Sequence, residues 1–279
     1  MKTSNKLLIA FAAALIVVPI LSMVVISKAY YIDGKTWANL EKQNDSFDGK
    51  SENMEAIALS QFNTINVTDG KEFTFYIRII KDSKFGVKIN KEHKDLIKCN
   101  VDKDGKLQIS LTDNNIERRY INLLVYAPKT TGLSVNNASS IDLNAKGDSI
   151  TINLKKFNDF RFDRDAKFQK ASIYAEDGYT NIEENSAAKS IDLILRNANF
   201  RSSGVSFDDL NIASTGKVDI DVFGGKADKE KYVIRNLTLK TTDSANVTFR
   251  SIDIEKAKGS LSDQTTVQLP VSTLKQMLK

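Results

Sequence analysis

Three hydrophobic patterns succeed one another along the chain. The first is an unbroken apolar run bounded by Leu7 and Ile26 (LLIAFAAALIVVPILSMVVI), 20 residues without a charge. At about 1.5 Å per residue such a helix is about 30 Å long, the thickness of a bilayer's hydrocarbon core. Pro19 interrupts it, which membrane helices tolerate when the freed backbone groups find other partners. Lys2 and Lys6 ahead of the run predict an N-in orientation, with the bulk of the chain extracytoplasmic, although Lys28 beyond it weakens the bias. Ser27-Lys28-Ala29 offers a small-x-small cleavage site as the alternative, giving a secreted product from Tyr30. The run exceeds the ~7–15 apolar residues of a signal peptide, which favours an uncleaved anchor over residues 1–28.

Residues 29–60 are polar and read as a spacer. Over 61–128 the pattern changes to period two: Phe73, Phe75, Ile77 and Ile79 alternate with polar or amphipathic neighbours, as do Leu107, Ile109 and Leu111. Such alternation predicts strands with one buried face, hence a β-rich N-terminal portion.

From 129 to 279 the chain repeats itself. Apolar pairs recur as Leu133/Val135, Ile152/Leu154, Ile173/Ala175, Leu193/Leu195, Leu210/Ile212 and Leu237/Leu239, each followed by a second anchor: Ile141, Phe160, Ile182, Phe200, Val218 and Val247. The first anchors advance 104 residues in five steps, a mean near 21. Turn residues separate the two strands of a unit at Asn136-Asn137, Asp177-Gly178, Asn197-Ala198, Thr215-Gly216 and Asp243-Ser244. A short repeat of strand and turn predicts a β-solenoid, because one unit cannot bury its apolar face alone. Antiparallel hairpins are the alternative. Stacking in this register places Asp142, Arg161, Glu183, Arg201, Asp219 and Thr248 in one outward column of mostly alternating charge, with Glu184 at an inward position. Pro270 opens a short helix in which Val271, Leu274 and Leu278 are spaced to cover the last coil.

Composition narrows the chemistry. One Cys excludes an intramolecular disulfide or a Cys-based metal centre, and one His removes most His-dependent sites. The formal charge of +5 falls to +2 once Lys2, Lys6 and Lys28 are set aside, so a nucleic-acid partner is not expected. His93 lies in a charged stretch and reads as a surface residue; Cys99, beside Lys98, leaves a reactive thiol open. Lys81, Lys84, Lys88, Lys91, Lys94 and Lys98 form the densest basic tract, a solvated strand face or a contact for anionic lipid or acidic polysaccharide. Gly224-Gly225 reads as a turn, and five Asn-x-Ser/Thr sequons begin at Asn44, Asn66, Asn137, Asn236 and Asn246. Paired acids at Asp219/Asp221 or Asp208/Asp209 are the one resource for glycoside chemistry, which needs two carboxyls about 5–9.5 Å apart.

The opening strand Phe62-Asn63-Thr64-Ile65-Asn66-Val67 and the segments LSVNNASSIDL, LNIASTGKVDI and LTLKTTDSANVTF resemble the bacterial putative auto-transporter adhesin family with its head GIN domain. The family's Ser-Gly-Ala-Ser type turn is Asn-Ala-Ser-Ser or Asp-Ser-Ala-Asn here, and the tripeptide Gly-Ile-Asn is absent. The resemblance implies an all-β, right-handed parallel β-solenoid in a Gram-negative envelope and supplies no catalytic residue. The expected protein is a non-catalytic, adhesin-like module with no cofactor or metal. Its expected partners are the membrane, through the 7–26 helix, and an envelope protein or polysaccharide. An envelope assembly or signalling subunit and a carbohydrate-active β-helix enzyme are the alternatives.

Overall fold

The computed structural model describes residues 3–30, 46–112, 120–163, 165–183, 187–225 and 231–277. They divide into two compact units, Met1–Asp45 and Ser46–Lys279. The first holds α1 (Thr3–Tyr30), with Pro19 inside it. Leu7, Phe11, Leu15 and Met23 of this helix are exposed, and it is long and apolar enough to cross a membrane.

The second unit is a mostly parallel sheet wound round one core. In chain order its strands are β1 (Met54–Ala58), β2 (Thr64–Val67), β3 (Thr74–Lys81), β4 (Gly86–Asn90), β5 (Ile97–Val101), β6 (Lys106–Leu111), β7 (Tyr120–Ala127) and the long β8 (Gly132–Phe162). Five two-strand coils follow: β9 (Lys167–Glu176) with β10 (Tyr179–Glu183), β11 (Ala187–Arg196) with β12 (Asn199–Ser203), β13 (Phe207–Thr215) with β14 (Val218–Phe223), β15 (Val233–Thr241) with β16 (Ala245–Arg250), and β17 (Asp253–Ser260) with β18 (Thr265–Gln268). A seven-residue helix, α2 (Val271–Met277), ends the unit.

The pairings from β8 to β18 are parallel, joining each coil to the next, which is the solenoid rather than the hairpin arrangement. Two inward columns carry the core. One runs Leu107, Ile65, Leu133, Ile152, Ile173, Leu193, Ile212, Leu239, all buried. The other runs Ile121, Phe75, Ile141, Phe160, Thr180, Phe200, Ile220, Val247. Coils separated by about 4.8 Å bring like side chains into contact along each column, so one apolar stripe becomes a continuous core. Between the columns the chain turns sharply, with Asn137, Lys156, Asp177, Asn197 and Gly216 all at positive φ. At Gly216 (φ 79°) a Cβ would collide with the Asn197 side chain, so glycine is required there twice over.

The apolar alignment of the repeats slips at two places, because hydroxyl residues occupy inward positions. Thr180 and not Ile182 sits between Phe160 and Phe200, and Leu195 pairs with Ser214. Thr180, Ser202, Ser214 and Thr241 are all buried. The outward column is therefore Asp142, Arg161, Asn181, Arg201, Asp221, Thr248, with Glu183 and Asp219 each displaced by two residues. Arg161 still grips Asp142 through two bonds, Nε to Oδ1 at 2.8 Å and Nη2 to Oδ2 at 3.1 Å, and approaches Asp159 at 3.3 Å. The bonds to Asp142 hold the Arg161 guanidinium above its usual pKa, whereas burial raises the Asp159 carboxyl. Glu184 lies outside the described residues.

The portion before Pro128 continues the same stack. β2 and β3 pair in parallel with β8, and β6 and β7 pair in parallel with β2 and β3. In space the first coil is therefore β6/β7, the second β2/β3 and the third the opening of β8, an order the chain does not follow. Antiparallel strands close this front end: β5 on β6, β4 on β7, and β1 on β4. The segment expected as a spacer thus contributes β1 to the sheet. At the back end α2 buries Thr273 and packs Met277 on the core, while Val271 is exposed; Leu278 lies outside the described residues. Gln276 imitates a further strand, its Oε1 accepting from the Ala257 N–H (2.9 Å) and its Nε2 donating to the Glu255 carbonyl (3.3 Å).

Lys88 ties the front end down. Its side chain is 2% exposed, and its Nζ donates to the carbonyls of Ser46 (2.9 Å) and Gly49 (2.7 Å) while lying 5.1 Å from the centre of the Tyr126 ring. Burial pulls this ammonium below the ordinary lysine range, and Asp82 and Asp48 offset part of that. Phe47 stacks edge-on to Tyr126 at 5.5 Å and covers Gly86, where any side chain would collide with its ring.

Two sets of variants test these contacts. Arg161→Glu should lower stability by about 1 kcal/mol at low salt, an exposed-pair value. Asp142→Arg added to it should restore most of the loss, whereas Glu183→Lys should restore little; thermal melts of the full chain decide, and purely additive effects would contradict the register. Lys88→Ala should cost about 2–3 kcal/mol, because two carbonyls lose their donor and a cavity opens beside Tyr126. Limited proteolysis should then cut residues 46–52 first.

Candidate functional site

Period-two alternation over the second half of β9 points Ala171, Ile173 and Ala175 inward, which forces Tyr174 outward. The same alternation in β11 turns Ile194 out. The two are neighbours in register, each 44% exposed, and Asn153 flanks Tyr174 on the preceding coil. They form the apolar part of a groove of about 440 Å³ across the outer face of the first strand column. Asn66, Ser134 and Asn153 line its continuation, with Asn153 Nδ2 donating to Ser134 Oγ (3.4 Å) and Asn66 Nδ2 to Gln108 Oε1 (2.6 Å). One border is a ladder of charge, Lys155 to Glu176 at 3.1 Å and Arg196 to Glu176 at 3.9 Å. Beyond Ile194 the next outward residue is Ala213, which separates it from Lys240 on the following coil.

The groove thus combines an open tyrosine ring, a flat aliphatic neighbour and a row of amides and hydroxyls. Aromatic rings present a broad apolar face, and the amides supply both donors and acceptors. Such a surface is suited to gripping an elongated ligand that carries hydroxyl groups. Sequence reading did not single out Tyr174 or Ile194, because an apolar residue is conspicuous in an outward position only once the register is known.

The candidates from sequence are scattered over the solenoid and engaged elsewhere. Asp208 pairs with Arg235 (2.9 Å), and Asp209 accepts from Ser190 Oγ (2.8 Å) and Asn236 Nδ2 (2.9 Å). Asp219 accepts from Asn246 Nδ2 (2.8 Å), and Asp221 is bound by Arg250 (3.0 Å). Each of these carboxylates is committed to a neighbouring coil. His93, expected at the surface, is 3% exposed. It ends the short 3₁₀ turn Lys91–His93 and meets the Tyr120 ring edge-on at 5.7 Å, with its Nδ1 buried and unpartnered. The turn rotates His93 under its charged neighbours, which the sequence pattern alone does not convey.

Cys99 packs against the core, and burial pushes its thiol up to about 12, so it stays protonated at neutral pH and is a poor nucleophile. The basic tract is not a uniform solvated face. Lys88 is buried, Lys84 pairs with Asp48 (2.7 Å) and Lys91 donates to the Glu52 carbonyl (2.6 Å), so three of its lysines hold the 46–52 segment. Gly224 is a close-approach turn, where a Cβ would meet the Ser251 carbonyl. Four of the sequon asparagines serve coil-to-coil or turn bonds: Asn66 to Gln108, Asn137 to Asp69, Asn236 to Asp209 and Asn246 to Asp219. Asn44 lies outside the described residues. Among the described residues no three of His, Cys, Asp and Glu gather in a way that would hold a metal ion.

Several solved structures are similar to this chain. A putative adhesin from Bacteroides fragilis is 15% identical, with a TM-score of 0.39 and coverage of 75% of this chain and 96% of that one. A putative adhesin from Parabacteroides merdae is 14% identical, with a TM-score of 0.39 and coverage of 80% and 93%. A putative cell adhesion protein from Clostridium sporogenes is 12% identical, with a TM-score of 0.27 and coverage of 75% and 95%. No curated protein matches the chain. The family model described as putative auto-transporter adhesin, head GIN domain, matches residues 61–229, well over half of the sequence, which takes in the front-end coils, the crossover and the groove. The chain belongs to the putative auto-transporter adhesin, head GIN domain family.

Proposed function

We propose that this chain is a membrane-tethered, extracytoplasmic adhesin-like module that grips a polysaccharide and performs no catalysis. The observation that carries this reading is the groove, where Tyr174 and Ile194 stand exposed beside a row of amides on a face otherwise built of self-paired polar residues. Family membership supports the adhesin-like role. The carboxylates locked into coil-to-coil bonds support a binding rather than a catalytic use of the surface. The tether rests on α1 and on Lys2 and Lys6 ahead of its apolar run, which favour an N-terminus held in the cytoplasm.

Two measurements test it. In cells expressing the full chain, the protein should stay in the membrane fraction with residues 1–29 attached, and external protease should reach the strand unit; a mature terminus at Tyr30 would replace the tether by secretion. On a glycan array the full chain should bind, and Tyr174→Ala should weaken that binding by roughly tenfold, the equivalent of about 1.4 kcal/mol of lost ring contact. Crosslinked capture of one membrane protein, without any glycan binding, would favour the envelope assembly reading instead.

A further inference from the structure

The mismatch between chain order and coil order leaves a cavity. β7 ends at Ala127 in the first coil, and residues 128–131 stride past the second coil to begin β8 in the third. The stride is pinned at both ends: the Asp82 N–H donates to the Ala127 carbonyl (3.1 Å), and the Thr131 N–H donates to the Asn63 carbonyl (2.8 Å). Against it lies a cavity of about 420 Å³, bounded by the end of β3, the crossover and residues 145–150 of β8.

Its lining is of two kinds. Ala127 and Phe168 are part of the buried core and give it an apolar wall. Lys81, Lys129 and Lys146 bring three exposed ammonium groups to it, and Lys167 stands in register beside Lys146 on the adjacent parallel strand. Among the described residues none of these four ammonium groups has an ion pair or hydrogen bond. Like charges paired in register are unfavourable, and an anion placed between them removes the repulsion. Ser149 adds an exposed hydroxyl to the lining.

We propose that the crossover cavity binds an anionic saccharide unit. The lysines take its carboxylate or phosphate as point charges, which requires no planar, bidentate partner. Ser149 meets its ring hydroxyls, and the Ala127–Phe168 wall accepts its C–H face. Asp148, the acidic member of the lining, accepts from a hydroxyl and disfavours a densely charged polyphosphate. The site is separate from the Tyr174 groove and does not rest on it.

The test titrates the full chain, in nonionic detergent, with a tetramer of galacturonate. Binding should weaken in high salt and fall by roughly tenfold in Lys81→Gln/Lys146→Gln, as expected when charge-assisted contacts are lost. The remote Lys240→Gln should leave it unchanged. In the unaltered chain, bound tetramer should shield Lys129 and Lys146 from amine acylation, read by mass spectrometry, which gives an answer even if the double variant misfolds. Undiminished binding by a folded double variant, absence of binding or of shielding, or loss confined to Tyr174→Ala would overturn the proposal. Binding to phosphatidylglycerol vesicles in place of the tetramer would also overturn it, by assigning the cavity to a lipid headgroup.

Discussion

Every strand in a parallel stack needs a partner on both sides, and the two ends are where no further coil can supply one. Backbone N–H and C=O groups left bare at such an edge are costly when buried and sticky when exposed. The chain meets this demand differently at its two ends. At the front it turns antiparallel, laying β5, β4 and β1 over the first coil and locking the last of these layers with Lys88 and Phe47. At the back it spends one side chain, Gln276, whose amide offers the same donor and acceptor as a peptide group. The buried lysine belongs to the same economy of ends. A charge is placed in the interior because two backbone carbonyls of an irregular segment must be bonded there, and a long flexible side chain reaches both.

Between the ends, the stack multiplies whatever each position carries. An inward Ile or Leu becomes an apolar column; an outward Asp beside an Asn or Arg becomes a self-paired polar strip. Such strips spend their own hydrogen-bonding capacity, so most of the surface has little left to offer a ligand. Two departures from this rule among the described residues are the Tyr174–Ile194 step, where outward residues are apolar, and the crossover cavity, where three lysines face a single acid, Asp148. Binding capacity on this fold is a matter of where the repeat is broken.

The solenoid was legible in sequence because its signal is local: period two within a strand and a recurrence near 20 residues both follow from the pleat and the coil. The register was less so. Thr180 and Ser214 fill inward positions with small hydroxyl side chains, and an alignment built on apolar residues alone passes over them to Ile182 or slides by two. That slip carried the expected ladder from Asn181 and Asp221 to Glu183 and Asp219. Lys156 shows the complementary limit: it takes the left-handed turn conformation within a Lys-Lys sequence that gives no turn signal. The coil order, the burial of Lys88 and that of His93 depend on segments more than 30 residues apart in some cases, and no local pattern encodes them. The groove required the register first and so came last.

The inverted coil order bears on how the chain can be made. β2 is flanked in space by β6 and the start of β8, both of which lie later in the sequence. While the polypeptide emerges from its N-terminus, residues 64–67 therefore have no strand to lie against until residue 106 has appeared, and their second neighbour waits for residue 132. The front of the solenoid cannot grow coil by coil behind the emerging chain. Farther along, by contrast, each coil follows its neighbour in sequence, so zippering can proceed there as the chain arrives. A polypeptide that passes through a translocation pore in vectorial order would keep its first folded segment open, and accessible to chaperones, longer than any later one.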